Sequence, residues 1–370
     1  MASKLIICID GLGRDLISKE NTPFLYEFGK ENNFSRLKTL FAFLGIEYCF
    51  FTGKSPVKSR VWWEFQYCRN SIFNNIFLEF LSFNKKLRNY FGAFLQLLKK
   101  RTYIVGLHNI PFDKLRFFDS SVNEGLWKLD FFQKRSFAFY KWPFFVVKGK
   151  GGGYKDIIFR YEPDRERLER LLSIEHLEVY YCQLMEIDKV IHKFGKESDE
   201  TNAVLKKIDR LLDSCVQSFL SKNKDGKVIL WSDHGFADIK NCIDVWGKLP
   251  ARKDFLFFIG GTTINLWFKN KTAKKEVLNV LGKIKGLHRL DHKLADKYQI
   301  PLSNKIGEEI FFVEKGSYIF PNFYQANENE KFVSMHGYPL NDELDGFLIT
   351  NFSKSKKNLK IEEVFEILNG

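Results

Sequence analysis

Three Asp and three His residues lie where polar side chains follow or interrupt apolar segments. They are Asp10, Asp188, His192, Asp233, His234 and His336. A divalent cation needs ligands that are anionic or carry a free lone pair, and carboxylates and neutral imidazoles meet that need. The set is large enough to hold one or two ions. These residues therefore predict metal-assisted chemistry.

Two short patterns bring pairs of these residues together. Asp188 and His192 in "DKVIH" are four residues apart, so on a helical turn they project from one face and can hold one ion. Asp233 and His234 in "WSDHGF" are adjacent, which would point them apart in a strand but can join them at a turn. The Gly235 that follows gives the backbone the freedom for such a turn.

Each of these residues also has an ordinary structural interpretation. An Asp at the end of a strand, such as Asp10, often caps a helix or a turn. Asp188 and His192 can be a solvated pair on a helix, and His336 alone indicates nothing. We interpret the other histidines as structural or solvated: His108, His176, His288 and His292. The metal hypothesis depends on the whole set.

Alternating apolar and amphipathic segments are expected to position this set. The runs "KLIICI", "LEVYYCQL" and "KVILW" predict strands, while "DRERLERLLSIE" and "SDETNAVLKKIDRLLDSCVQSFLSKN" predict helices. This alternation predicts an α/β fold: a doubly wound, mostly parallel sheet with helices on both faces. Ligand sites in such sheets lie at the carboxyl ends of the strands, so we expect all six residues at one edge.

The length of the chain and its local composition predict one domain with an insertion. The chain has 370 residues, of which 45% are hydrophobic, and we expect a single α/β domain over 1–370. Residues 60–155 are aromatic-rich and irregular, which predicts an inserted cap or subdomain. Its Trp62, Trp63 and Phe65 can stack on a base or sugar, although core packing is the alternative. Towards the C-terminus, "IGEEIFFVEKGSYIF" is typical of a hairpin.

Composition limits the partners and the compartment. The net charge of +13 could attract a small anionic phosphoester, but the lysines are scattered, and no motif indicates nucleic-acid binding. The six cysteines form no CxxC pair, which favours reduced thiols. No stretch is long enough for a membrane span or a signal peptide, so we expect a cytoplasmic protein. The oligomeric state is not indicated.

The order of the motifs resembles a known family. "ICIDG", "TPFL", "FFTGKSP", "DKVIHKFG", "WSDHGF" and "SMHGY" with "DGFLI" follow one another as in the alkaline-phosphatase superfamily, and most closely its type I phosphodiesterase/nucleotide pyrophosphatase branch. The resemblance covers most of the chain outside 60–155. It implies an alkaline-phosphatase-like fold with two divalent ions, zinc or manganese. Carried over by residue, it assigns one ion to Asp188, His192 and His336, and the other to Asp10, Asp233 and His234.

The resemblance fails at the nucleophile. The family places a Thr or Ser at the start of the helix before "TG..P", and the usual spacing falls near Phe43, where "FLGIE" has no hydroxyl. Thr39 is the nearest upstream candidate, although it falls in a predicted strand. Thr52 would lie at the wrong end of the helix, and Glu47 is a possible carboxylate near the ions. The chain also has Ser59-Arg60 where the family often has His-Gly.

Three functional hypotheses follow. The first is a metal-dependent hydrolase of phosphate esters, with phosphodiesters or nucleotides as substrates and Thr39 or an activated water as nucleophile. The second is a non-catalytic relative that keeps the ions for structure or binds a phosphorylated ligand. The third is a transferase of phospho-groups in glycan or lipid metabolism. Six retained ligands favour chemistry, because a structural role does not need two open ions.

Overall fold

The computed structural model describes residues 2–41, 45–107, 109–149, 152–339, 342–353 and 356–370. Strands and helices alternate along most of this length. The strands are β1 Lys4–Ile9, β2 Asn33–Lys38, β3 Phe65–Tyr67, β4 Phe118–Ser120, β5 Phe137–Lys141, β6 Phe144–Gly149, β7 Gly152–Ile157, β8 Val179–Leu184, β9 Lys227–Trp231, β10 Ala237–Asp238, β11 Asn241–Ile243, β12 Phe255–Ile259, β13 Thr263–Phe268, β14 Leu287–Arg289, β15 Glu309–Val313, β16 Ser317–Ile319, β17 Ser334–Met335, β18 Gly346–Thr350 and β19 Asn358–Lys360.

The helices include one long amphipathic element and several short ones. They are α1 Pro23–Glu31, α2 Gly45–Thr52, α3 Pro56–Ser59, α4 Ile76–Phe80, α5 Lys85–Leu98, α6 Phe112–Leu115, α7 Asp130–Gln133, α8 Asp164–Leu172, α9 Glu186–Phe194, α10 Asp199–Lys222, α11 Lys271–Leu281, α12 His292–Lys297 and α13 Val364–Asn369. Single 3-10 turns occupy Arg14–Leu16, Leu81–Phe83, Leu126–Lys128, Trp246–Lys248, Glu328–Glu330, Asp342–Leu344 and Ile361–Glu363.

The central sheet has nine strands in the order β19-β2-β18-β9-β1-β8-β5-β6-β7. It is mixed, so the prediction of a mostly parallel sheet is wrong. Strand β1 pairs in parallel with β8 and β9, and β8 with β5, but β18 runs antiparallel to β2 and β9. Only two residues, Trp142 and Pro143, join β5 to β6, and so short a link permits only antiparallel pairing.

Helices cover both faces of this sheet. On one face, Cys8, Tyr181 and Trp231 pack in a large aromatic core with α2, and the Trp231 ring stacks on Phe50 at 3.8 Å. On the other face, apolar side chains of α8, α9 and α10 pack against the alternate residues of β1, β8 and β9. Both faces of the central strands are therefore buried, which explains their near-continuous apolar sequences.

A second sheet, in the order β12-β13-β15-β14, packs in the same aromatic core. The hairpin predicted for the segment around β15 and β16 is wrong. Strand β15 already has β13 and β14 on its two sides, which leaves no edge for β16. Strand β16 pairs instead, in parallel, with β11.

The aromatic-rich segment 60–155 divides between two locations. Strands β3 and β4 and helices α4 to α6 lie outside the central sheet, whereas β5, β6 and most of β7 belong to it. Trp62, Trp63 and Phe65 are buried in the core, where Phe65 packs 5.2 Å from the Phe258 ring. Core packing therefore accounts for these three rings. No helix in the described part of the chain is long and apolar enough to cross a membrane.

Candidate metal centre

Neighbouring strands bring the first three candidate ligands together. Strands β1 and β9 are hydrogen-bonded neighbours with Cys8 opposite Trp231, so Asp10 and the Asp233-His234 pair follow at the same edge of the sheet. The His234 Nε2 atom lies 3.4 Å from Asp10 Oδ1 and 3.5 Å from Asp233 Oδ2.

Helix α9 supplies the next two residues. It begins just after β8, the other neighbour of β1, so its first turns lie over the same edge. Asp188 and His192 project from one face of α9, and His192 Nε2 lies 3.6 Å from Asp188 Oδ1. The four-residue spacing thus has the geometric result that the sequence predicted.

His336 reaches the site through a two-residue pairing that the sequence does not reveal. Strand β17 pairs antiparallel with β10, which places the residue after β17 beside the turn that carries His234. The two imidazole rings stack with centroids 3.7 Å apart, and His336 Nε2 lies 3.8 Å from Asp188 Oδ1.

The structure therefore brings all six candidates to one place as two triads. In each triad, the potential ligand atoms lie within 4.8 Å of one another. The triads are Asp188 with His192 and His336, and Asp10 with Asp233 and His234. This division is the one that the family resemblance implied.

Two glycines allow the segments of the site to approach closely. Gly11 has a φ of +72°, and a Cβ there would lie 3.2 Å from the Asp188 Cα. Gly235 has a different role from the one predicted. Its φ is not positive, but a Cβ on it would lie 2.9 Å from the Glu343 carbonyl oxygen and 3.0 Å from the Gly13 Cα. Close packing, rather than backbone freedom, requires glycine at position 235.

The donor atoms fit a cation. Asp188 Oδ1 is buried and accepts no hydrogen bond from any described residue. His192 Nδ1 lies 2.9 Å from the Ser334 carbonyl oxygen, to which it can only donate, so the lone pair of Nε2 faces Asp188. Gln183 Nε2 donates to Asp10 Oδ2 at 2.7 Å, so Oδ1 is the oxygen that faces His234 Nε2. Oriented imidazole and free carboxylate oxygens are what zinc and manganese bind.

Charge crowding in the site is also relieved by a cation. Burial and the Asp10 carboxylate raise the pKa of Asp188 well above its ordinary value and that of Asp233 to about 7. Burial acts to lower the pKa of His234, but the Asp233 and Asp10 carboxylates outweigh it and raise the pKa to about 9. Burial lowers the pKa of His192 to about 4, so this ring is a neutral ligand at pH 7.

An ion pair lies beside the triads: the sequence indicated its carboxylate, Glu47, but not its cation, Lys141. Lys141 Nζ pairs with Glu47 Oε2, and the Tyr181 hydroxyl donates to Glu47 Oε1 at 2.9 Å. The Lys141 charge helps to lower the pKa of Asp10, and the Glu47 charge helps to raise that of Asp233. The signal was present, because Lys141 ends the apolar run "FAFYK" as Asp10 follows "KLIICI", but the whole segment was interpreted as an insertion.

The candidate nucleophiles are placed less clearly. Phe43 lies outside the described residues. Thr39 is the first residue after β2 rather than part of it, and its buried hydroxyl oxygen has no hydrogen-bond partner among the described residues. Its backbone N–H donates to Asp345 Oδ1 at 3.1 Å. Thr52 is the last residue of α2 and bonds to the Tyr48 carbonyl, so it lies at the wrong end of the helix, as predicted.

Comparisons with known proteins match the chain to one family model and to solved structures of similar fold. Residues 126–339 match the family model "Type I phosphodiesterase / nucleotide pyrophosphatase". No curated protein matches the chain. Among solved structures, murine ectonucleotide pyrophosphatase/phosphodiesterase 5 superimposes with a TM-score of 0.66 at 13% identity, over 100% of this chain and 94% of that one.

Two further structures give similar values. An inactive variant of the murine protein in complex with AMP has a TM-score of 0.65 at 14% identity, with 100% and 94% of the two chains covered. The human protein of the same name gives 0.62 at 15% identity, with 100% and 95% covered. At these identities the likeness concerns the fold.

Proposed function

This chain belongs to the type I phosphodiesterase / nucleotide pyrophosphatase family of the alkaline-phosphatase superfamily, and we propose that it is a metal-dependent hydrolase of phosphate esters. Phosphodiesters or nucleotides are the proposed substrates. The observation that carries the proposal is the convergence of the six Asp and His side chains in two adjacent triads. We also propose that the protein is cytoplasmic, because its six cysteines are unpaired.

Each triad would hold one divalent ion, zinc or manganese. Bound ions would lower the pKa of a hydroxyl or water and neutralise charge on the phosphoryl oxygens. The chain's own residues keep the ligands oriented: Gln183 holds Asp10, and the Ser334 carbonyl fixes the tautomer of His192. The rings of Phe236 and Phe332 pack on His192 at 4.7 and 4.0 Å and keep water from that side.

The cap and the basic groups near the site would bind the rest of the substrate. Lys141 offers a positive charge beside the triads, and an anionic phosphoester would compete with Glu47 for it. Tyr103 and Tyr324 lie near Glu64, whose carboxylate accepts a hydrogen bond from the Tyr324 hydroxyl at 3.1 Å. Glu64 and Tyr103 belong to the part of 60–155 that lies outside the central sheet. We propose that this part shapes the leaving-group pocket together with Tyr324.

The hydroxyl that we propose as nucleophile is Thr39, with water as the alternative. An unpaired buried hydroxyl costs about 1–3 kcal/mol, and a function explains why one is retained. Thr39→Val should abolish turnover and Thr39→Ser should retain much of it. Equal activity of Thr39→Val and the parent protein would leave water as the nucleophile.

The proposal is tested by metal content and turnover. The purified protein should carry up to two transition-metal ions per chain, measured by plasma mass spectrometry, and should hydrolyse a chromogenic phosphodiester. Chelation or Asp233→Asn should lower turnover by more than about 100-fold. Asp225→Asn, which changes an exposed Asp, is the matched control and should have no effect.

The second candidate function is a non-catalytic metal-binding relative. The absence of a hydroxyl from "FLGIE" favours it, because the family's nucleophile position near Phe43 cannot form an alkoxide. Bound metal together with no turnover of any phosphate ester would support this candidate against the hydrolase. Transfer of a phospho-group to an alcohol in place of water would identify the transferase.

A further inference from the structure

Helices α4 and α5 and the turn between them expose a continuous apolar face. It consists of Phe77, Phe80, Phe83, Tyr90, Phe94 and Leu98, which we call the outer face of α4–α5, and each of these side chains is 51–74% exposed. On α5 the spacing of four residues aligns them on one stripe. The Phe77 ring contacts Phe91, and Phe91 contacts Phe94, so the two helices form one surface.

Contacts on the inward face of α5 fix the orientation of the helix, and so determine which of its side chains are exposed. Arg88 and Gln96 are buried there, and both have specific partners. Arg88 Nη1 donates to the Ile110 carbonyl at 2.9 Å, while Gln96 bonds to both the N–H and the carbonyl of Val105. Helix α5 is therefore held to the protein by these polar contacts together with Phe91, Leu95 and Leu97, which pack against the core, and its second apolar stripe faces outward.

Lysines border the apolar stripe at both ends of α5. Lys85 and Lys86 occupy its first turn, Lys99 and Lys100 follow its last, and all four are exposed. Cations in a first turn oppose the helix macrodipole, so Lys85 and Lys86 do not stabilise the helix. Between residues 71 and 101 the sequence has one acidic residue, Glu79. The charge of this region is complementary to an anionic partner.

A second copy of the chain does not satisfy this pattern. An antiparallel pair of α5 helices would place Lys85 and Lys86 against Lys99 and Lys100, and a parallel pair would place each lysine pair against itself. Either arrangement brings like charges together around the apolar seam, which opposes association.

We propose that the outer face of α4–α5 binds the surface of an anionic lipid membrane. The aromatic side chains would enter the boundary between headgroups and acyl chains, while the lysines would contact lipid phosphates and carboxylates. Helix α5 would lie in the plane of the membrane. This inference does not depend on the hydrolase proposal.

Vesicle co-sedimentation of the full chain tests the inference. The protein should bind phosphatidylcholine vesicles that contain about one-third phosphatidylserine, and should bind pure phosphatidylcholine vesicles much more weakly. Phe80→Ser/Phe94→Ser should abolish binding. Lys85→Gln/Lys86→Gln should weaken it by about 25-fold, because each lysine near an anionic surface contributes about fivefold. High salt should weaken binding to the anionic vesicles.

Matched variants separate the surface from general effects. Phe159→Ser removes another exposed Phe, and Lys283→Gln/Lys285→Gln removes two other exposed lysines, so both should bind like the parent. All substituted positions are exposed, and the melting temperature should therefore be unchanged. Vesicle binding that is absent, or that survives Phe80→Ser/Phe94→Ser, would overturn the inference. A dimer that this double variant converts to a monomer would also overturn it.

Discussion

At the scale of single residues, the pair between Lys141 and Glu47 is the least expected feature of the site. Glu47 is buried and the Lys141 side chain is only 19% exposed, beside carboxylates that already crowd one another, and burial of ions is costly unless each is paired. The Tyr181 hydroxyl satisfies the second oxygen of Glu47. The pair therefore places a cation and an anion at fixed positions next to the triads.

Removal of both partners should cost less stability than the sum of the two single removals. Lys141→Met leaves the Glu47 carboxylate buried without its cation, so we expect a loss of about 3–5 kcal/mol in the free energy of unfolding. The double variant Lys141→Met/Glu47→Gln should lose less than the sum of the single variants, with a coupling of about 1–3 kcal/mol. Urea unfolding of the four proteins measures this cycle.

The control for this cycle is the exposed pair between Lys222 and Glu175. Both of its side chains are 55% exposed, and the same cycle should show little coupling there. Additive effects at Lys141 and Glu47 would mean that the two charges are independently solvated, contrary to the structure.

Protons and cations should compete for the triad of Asp10, Asp233 and His234. With the pKa of Asp233 raised to about 7 and that of His234 to about 9, both hold protons at pH 6 and progressively lose them above pH 7. Metal affinity should therefore rise from pH 6 to pH 8. Calorimetry in buffers of different ionisation enthalpy should show release of about one proton or more at pH 7. Equal affinity at both pH values would contradict the assignment.

At the scale of elements, Asp164 fixes the start of α9. Its carboxylate accepts hydrogen bonds from the N–H groups of Met185 and Glu186 at 2.9–3.0 Å, and it is fully buried against Arg167. Since α9 carries two of the three proposed ligands of one triad, Asp188 and His192, Asp164 positions both without contact with the ion.

Asp164→Asn should therefore loosen the metal site. We expect a loss of about 1–3 kcal/mol in stability, because one cap acceptor and the partner charge of Arg167 disappear. Metal affinity should fall by about tenfold. Asn270→Ala removes the cap of α11, whose Oδ1 accepts from the Ala273 N–H at 2.8 Å, and should cost stability without a change in metal affinity. Equal metal affinity in both variants would remove the positioning role.

Strands and helices that are encoded by a short stretch of their own sequence could be predicted. Strands β1, β8 and β9 are apolar runs that end at or near polar ligands, and the four-residue spacing placed Asp188 and His192 on one helix face. Pairings between distant segments could not be predicted. The start of β18 lies beside the end of β9, so the two strands are antiparallel. Neither segment's own sequence indicates this direction.

The same distinction holds within the site. His336 reaches the site because β10 pairs with β17. These strands are about a hundred residues apart in the chain and only two residues long, so no local sequence pattern indicates that they pair. Lys141 and Glu47 belong to a strand and a helix that the sequence placed in different parts of the molecule. The sequence indicated the six proposed ligands and the nearby Glu47 carboxylate, but not the Lys141 cation that pairs with Glu47.

At the scale of the whole molecule, the two triads tie together chain segments that are far apart in sequence. The segments after β1, on α9, after β9 and after β17 all contribute proposed ligands, from residue 10 to residue 336. An unfolded chain cannot present these six side chains together, so an ion that binds here binds only the folded state. Its binding free energy then adds to the stability of the entire fold.

Metal should accordingly raise the melting temperature of the full chain. At about 100 times its dissociation constant, an ion adds about 2.7 kcal/mol, which corresponds to a rise of about 3–4 °C for a protein of this size. Differential scanning fluorimetry with and without zinc measures the rise, and chelator should reverse it. Asp188→Asn removes the one carboxylate of its triad, so zinc should raise its melting temperature less than that of the parent protein. The control variant Asp225→Asn should keep the full rise. An equal rise in both variants would mean that zinc binds elsewhere.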